Sequence, residues 1–125
     1  MKDIQEFQAL SKRTMPVVGS TIKVDGDDVV LSRGLIAANY SQGLAGEAGE
    51  VTDIVKKHVW HGHAISRDDV VKELGDVMHY VAGVATLFEI PMEEVLGTNI
   101  DKLKKRFPNG FNQEDSIKRV DTIKQ

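Results

Sequence analysis

Two short stretches constrain this chain more than any other: Gly43-Leu44-Ala45-Gly46-Glu47-Ala48-Gly49-Glu50-Val51 and Glu73-Leu74-Gly75-Asp76. Each carries two acids three residues apart. On a helix, such residues share one face. The chain holds five acid pairs at this spacing, so spacing alone selects nothing. The setting does. Glu47 and Glu50 sit among Leu44, Ala45, Ala48 and Val51, and Glu73 and Asp76 among Val70, Val71, Leu74 and Val77. These acids interrupt apolar helical stripes, whereas Asp3 and Asp28 lie in polar surroundings.

Two readings follow. The pairs could lie on separate solvated faces. Alternatively, two adjacent helices could turn four carboxylates toward one point. Two unit charges about 4 Å apart repel by ~4 kcal/mol at an effective dielectric near 20. Convergence therefore requires either protonated carboxyls or a shared divalent cation. All-oxygen ligation favours a hard ion, Mg²⁺ first and Mn²⁺ second.

The rest of the pattern is helical. Asp3 and Glu6 form a capping box for a short first helix with Ile4, Phe7 and Leu10 on its apolar side. Met15-Pro16 ends it. Residues 16–32 lack helical periodicity. Ile22 and Val24, then Val29 and Leu31, flank Asp25-Gly26, which fits a small hairpin or a loop. Ser32 caps a long helix to about Trp60, with Leu35, Tyr40, Leu44, Ala48, Val51, Val55 and Val59 recurring near helical spacing. Its glycines, Gly43, Gly46 and Gly49, suggest a close helix approach or space for a ligand. Ser66 opens a further helix to about Phe88, with Val70, Leu74, Val77, Val81 and Phe88 toward the core. Pro91 fits the first turn of a last major helix to about Phe107, whose apolar stripe is Met92, Leu96, Ile100, Leu103 and Phe107. The expected architecture is an all-α bundle of about four helices, one domain over residues 1–110, and a loosely docked polar tail over 111–125 with Phe111, Ile117 and Val120 as anchors.

Composition excludes several classes. A net charge of −3 argues against broad nucleic-acid binding. Without cysteine there is no disulfide and no thiolate metal site. The longest apolar stretch, Val77 to Phe88, contains His79 and Tyr80 and is too short to span a bilayer. The N-terminus has no signal-peptide core. These features predict a soluble cytoplasmic protein with no membrane partner. No GxxxxGK[ST] or GxGxxG loop is present, so phosphate binding would need metal and side chains.

Other groups could carry chemistry. Asn99, Lys102 and Arg106 share one face of the last helix and suit a phosphate chain. They also fit a solvated basic turn that complements the helix dipole. Tyr80 follows Asp76 by four residues and so shares the acidic face, which makes it a better candidate than Trp60 to stack on a base or sugar. Core packing is the alternative for both aromatics. His58, His61 and His63 straddle a helix end and match no standard zinc motif. A di-iron carboxylate bundle would use Glu-x-x-His pairs, and neither acid pair has a histidine there.

The two acidic stretches, followed by Asn99-Ile100-Asp101-Lys102-Leu103-Lys104-Lys105-Arg106-Phe107-Pro108, resemble the MazG-like, all-α nucleoside triphosphate pyrophosphohydrolases. The family motif is EExxE, a spacer, then ExxD, and the resemblance runs from about Ile4 to Phe111. It implies Glu47, Glu50, Glu73 and Asp76 as Mg²⁺ ligands, with Glu47 or Glu50 as proton acceptor. Asn99, Lys102, Arg106 and Tyr80 would contact substrate, and residues 16–32 would reach the nucleoside. It implies cleavage of a (deoxy)nucleoside triphosphate to the monophosphate and pyrophosphate, and a homodimer or homotetramer that completes the bundle. The first acid of EExxE is Gly46 here. That departure keeps open an inactive nucleotide-binding or regulatory module of the same fold.

Overall fold

The computed structural model describes residues 1–122. It is predominantly helical, with five α-helices rather than four among the described residues. In order these are α1 (Ile4–Ser11), a hairpin of β1 (Thr21–Val24) and β2 (Asp27–Val30), α2 (Arg33–His61), α3 (Arg67–Leu87), α4 (Met92–Arg106) and α5 (Gln113–Lys118). Short 3₁₀ turns follow α1 and α5.

Local chemistry sets most boundaries. Asp3 accepts a hydrogen bond from the Glu6 N–H, Ser32 from Leu35 and Ser66 from Asp69, each satisfying one of the free donors of a first helical turn. Gly62 ends α2 in the left-handed region at φ 72°, and the His63 N–H closes back on the Lys57 carbonyl. The segment 16–32 does form a hairpin. Asp25 and Gly26 both take positive φ, 49° and 87°, which is the primed turn that matches strand twist. Thr21 pairs with Val30 and Val24 with Asp27.

Pro91 stands one position before α4, at its N-cap, and supplies no side-chain cap. The cap comes from α1. Gln8 Oε1 accepts from the Met92 N–H at 2.8 Å, and Gln5 Oε1 from the Glu93 N–H at 2.8 Å. Gln8 also donates to the Ile90 carbonyl and Thr86 Oγ1.

Antiparallel α2 and α3 form the backbone of the fold, with the start of α2 tied to the end of α3 by Arg33 donating to the Leu87 carbonyl. One core cluster joins Leu31, Ile36, Tyr40 and Leu87; a second joins Ala82, Ala85 and Met92 under Ile4 and Phe7. Much of the apolar face expected to be core is not covered by the described residues. Leu35, Val55 and Val59 of α2, Leu74 of α3, Phe88 just after it, and Leu96, Ile100 and Leu103 of α4 are all exposed. Periodicity identified the apolar faces, but the described residues put nothing across from them.

The described part of the tail carries α5 and docks on α4. Asp121 is 1% exposed and receives two hydrogen bonds from Arg106, at 2.6 and 2.7 Å. Phe111 and Ile117, expected as anchors, are exposed, whereas Val120 is half-buried. The last three residues of the tail, 123–125, lie outside the described residues. No described helix is long and apolar enough to cross a membrane.

Candidate metal centre

Two reciprocal contacts fix how α2 and α3 meet. The Tyr80 ring of α3 lies on Gly43 of α2, and the Tyr40 ring of α2 lies on Gly83 of α3. A Cβ at Gly43 would stand 2.3 Å from Tyr80, and one at Gly83 would stand 2.1 Å from Tyr40. Only an α-carbon without a Cβ permits this approach. The register then propagates. Four residues beyond Gly43 is Glu47; four before Tyr80 is Asp76. Seven beyond is Glu50; seven before is Glu73. On antiparallel helices, equal steps in opposite chain directions keep residues opposite one another.

Three of these four acids meet at one point. Glu47, Glu73 and Asp76 each offer a carboxylate oxygen within 4.8 Å of the other two. Glu50 stands outside that group, yet its charge still reaches Glu73. Burial raises the Glu73 carboxyl above its ordinary range, and the charges of Glu47, Asp76, Glu50 and Asp69 push it the same way. Among the described residues, no cationic side chain pairs with any of these four acids. Asp53, one turn beyond Glu50, behaves differently. It pairs with Lys57 at 2.8 Å and Lys56 at 3.5 Å, and the Lys57 hydrogen bond holds its pKa low. The unpaired, all-oxygen donor set fits a hard divalent ion.

The other expected site residues are dispersed. Tyr80 is half-buried, packed edge-on against Tyr40 at 5.4 Å and His79 at 5.1 Å. Asn99 and Lys102 line a surface cleft of about 390 Å³ with Ile90, Glu94, Val95 and Thr98. None of the four acids lines it. Arg106 is engaged by Asp121. His58 Nδ1 bonds the His63 carbonyl at 2.7 Å, and the three histidines form no metal-ligating group among the described residues. Trp60 is exposed.

The segment 16–32, expected to reach the nucleoside, covers a cleft whose helical wall gave no sequence signal. Beneath the hairpin, Pro16, Ile22, Val24, Val29, Leu31, Leu35, Ile36 and Asn39 line a cleft of about 440 Å³. Among the described residues that line it, Asn39 is the only polar side chain, and a lone asparagine on a helix marks nothing by itself.

Residues 37–111 match the model of the MazG nucleotide pyrophosphohydrolase domain. A protein of Mycobacterium phage L5 named "Gene 37 protein" is 32% identical over 115 residues, spanning 89% of this chain and 92% of the phage protein. No solved structure matches the chain.

Proposed function

Because the chain belongs to the MazG nucleotide pyrophosphohydrolase family, we propose that it hydrolyses nucleoside or deoxynucleoside triphosphates to the monophosphate and pyrophosphate with the help of Mg²⁺. The observation that carries this reading is the convergence of Glu47, Glu73 and Asp76 with no cationic side chain paired to them among the described residues.

These three carboxylates would hold the ion, or Mn²⁺ in its place. A bound divalent cation would supply Lewis-acid polarisation of phosphoryl oxygens and make water more acidic. Glu50, beside the group but not within it, accepts the proton of the attacking water; Glu47 is the second candidate. Water oxygen bonds to the α-phosphorus, the bond from that phosphorus to the bridging oxygen breaks, and the electron pair leaves with pyrophosphate. Asn99 and Lys102 bind the phosphate chain, and Lys102 offsets charge on the leaving group. Arg106 would join them on releasing Asp121. Tyr80 borders the path from the acids to the nucleoside.

The exposed apolar residues of α2 and α4 support a homodimer or homotetramer, since faces of this kind mark interaction sites. A triphosphate substrate also suits a cytoplasmic protein. Incubation with the eight canonical triphosphates and Mg²⁺, followed by pyrophosphate assay, tests the reading. Release from none of them refutes it. Gly46, in place of the family's first acid, supports a second reading: a module that holds nucleotide without cleaving it. Mg²⁺-dependent nucleotide binding without pyrophosphate release would establish that one.

A further inference from the structure

We propose that residues 113–122 form an autoinhibitory latch: the Asp121 carboxylate occupies the seat on Arg106 that a ligand's phosphate chain takes, and a polyphosphate has to displace it to bind. The inference rests on the reading above that Lys102 and Arg106 receive phosphate, and it assigns the regulation of that same site.

Its first support is the geometry of the pair. Arg106 donates from Nε to Oδ1 of Asp121 at 2.6 Å and from Nη2 to Oδ2 at 2.7 Å. A guanidinium meets phosphate oxygens with the same two-pronged edge, so the carboxylate and a phosphate compete for it. Lys102 stands one turn earlier on α4 and lines the cleft there with Asn99. Among the described residues Lys102 pairs with no acid. Arg106 is the cation of this face that an internal anion already holds.

The second support is burial. The Asp121 side chain is 1% exposed and that of Arg106 18%. Among the described residues, no other side chain donates to the Asp121 carboxylate. If Arg106 turned to a phosphate while the tail stayed docked, a buried carboxylate would lose its partner, which is strongly unfavourable. The two events are therefore linked: Arg106 takes a phosphate only as the tail lifts. Little else holds the segment. α5 has six residues, and Phe111 and Ile117 are exposed. Arg119 ends α5 in the left-handed region at φ 48°, a strain that undocking relieves. Gly110, at φ 83°, gives the connection between α4 and α5 a hinge.

Such a latch selects for long anions. Asp121 is tethered 15 residues from Arg106, and a tether of this kind holds it at an effective concentration on the order of millimolar. Orthophosphate has to displace it unaided. A phosphate chain already held at Lys102 reaches Arg106 as a second contact and is tethered in its turn.

The test uses the full chain with Mg²⁺ and two probes, inorganic tripolyphosphate and orthophosphate. Hydrogen exchange over residues 113–122 is followed by mass spectrometry and affinity by calorimetry. In the wild type, tripolyphosphate should speed exchange over this segment, and orthophosphate at the same concentration should not. Asp121→Asn should bind tripolyphosphate at least about fivefold more tightly. Arg106→Gln should free the tail as well but bind tripolyphosphate more weakly. A tail that only braced α4 would move the two variants in the same direction. Glu114→Gln removes the same charge from an exposed position of the same segment and should leave the affinity unchanged. Exchange unmoved by tripolyphosphate in the wild type would overturn the inference, and that result requires no variant to fold. So would equal or weaker binding by Asp121→Asn. Pyrophosphate release is assayed separately. A latch that opens to tripolyphosphate in a protein that cleaves no nucleotide would refute the hydrolase reading and leave this one standing; cleavage with the tail closed throughout would refute this one alone.

Discussion

Replacing Gly83 with alanine should destabilise the protein, although alanine is the better helix former. The propensity gain is about 1 kcal/mol. Against it stands the Tyr40 ring, whose Cδ1 and Cε1 would lie 2.1 and 2.2 Å from the new methyl group. Tyr40 is 4% exposed and packed against Tyr80 and His79, so the ring has nowhere to move without displacing them. Overpacking of this kind costs roughly 1–3 kcal/mol, and a clash this deep belongs at the upper end. The net expectation is a loss of about 2 kcal/mol, or a Tm lower by roughly 8 °C for a chain this size. Urea and thermal unfolding at fixed protein concentration read it directly. Gly49→Ala is the control. Its Cβ would meet nothing within 4 Å, so it should gain up to about 1 kcal/mol. A Gly83→Ala variant as stable as wild type would refute the interlocked-ring account of how α2 and α3 approach. Gly43→Ala should cost less, because Tyr80 is only half-buried.

Three further outcomes follow from the same geometry. Glu47→Gln, Glu73→Gln and Asp76→Asn should each weaken Mg²⁺ binding and cut pyrophosphate release at least about 100-fold, while Glu50→Gln should spare metal affinity and lower kcat by roughly 10²–10⁴; calorimetry and steady-state assay separate the two. The raised Glu73 pKa means that the folded state holds this proton more tightly than the unfolded chain, so stability falls as pH rises from the ordinary glutamate value through the folded one. Without divalent ions, Glu73→Gln should therefore melt above wild type at neutral pH, with the difference vanishing near pH 4 and reversing on Mg²⁺ addition. Asp121 has the opposite sign: Arg106 holds its pKa low, so its contribution is present above the ordinary aspartate range and lost as pH falls through the folded value. Asp121→Asn should increase hydrogen exchange and proteolysis of α5 at neutral pH, and the difference from wild type should close in acid.

Much of the molecule could be read from its residues. Ser32, Ser66 and Gly62 mark helix ends by local hydrogen bonding, which depends on near neighbours only. The four acids stood out because they break apolar stripes. The structure gathers Glu47, Glu73 and Asp76 and leaves Glu50 at the margin. Spacing along a single helix could not show that difference, because it depends on where the carboxylate oxygens end up across two helices. The Arg106–Asp121 pair and the Asn39 cleft joined segments with no common local pattern. Leu35, Val55 and Val59 were assigned to a core because periodicity reveals which face is apolar, not whether the same chain covers it.

The glutamine caps have a consequence for how the chain is built. The free donors at the start of α4 are satisfied by residues 84 and 88 positions upstream in Gln8 and Gln5. The fourth helix therefore gains its secure beginning only after the intervening loop has closed. Deleting the first helix would fray the fourth from its N-terminal end, at the opposite extreme of the sequence from the cut.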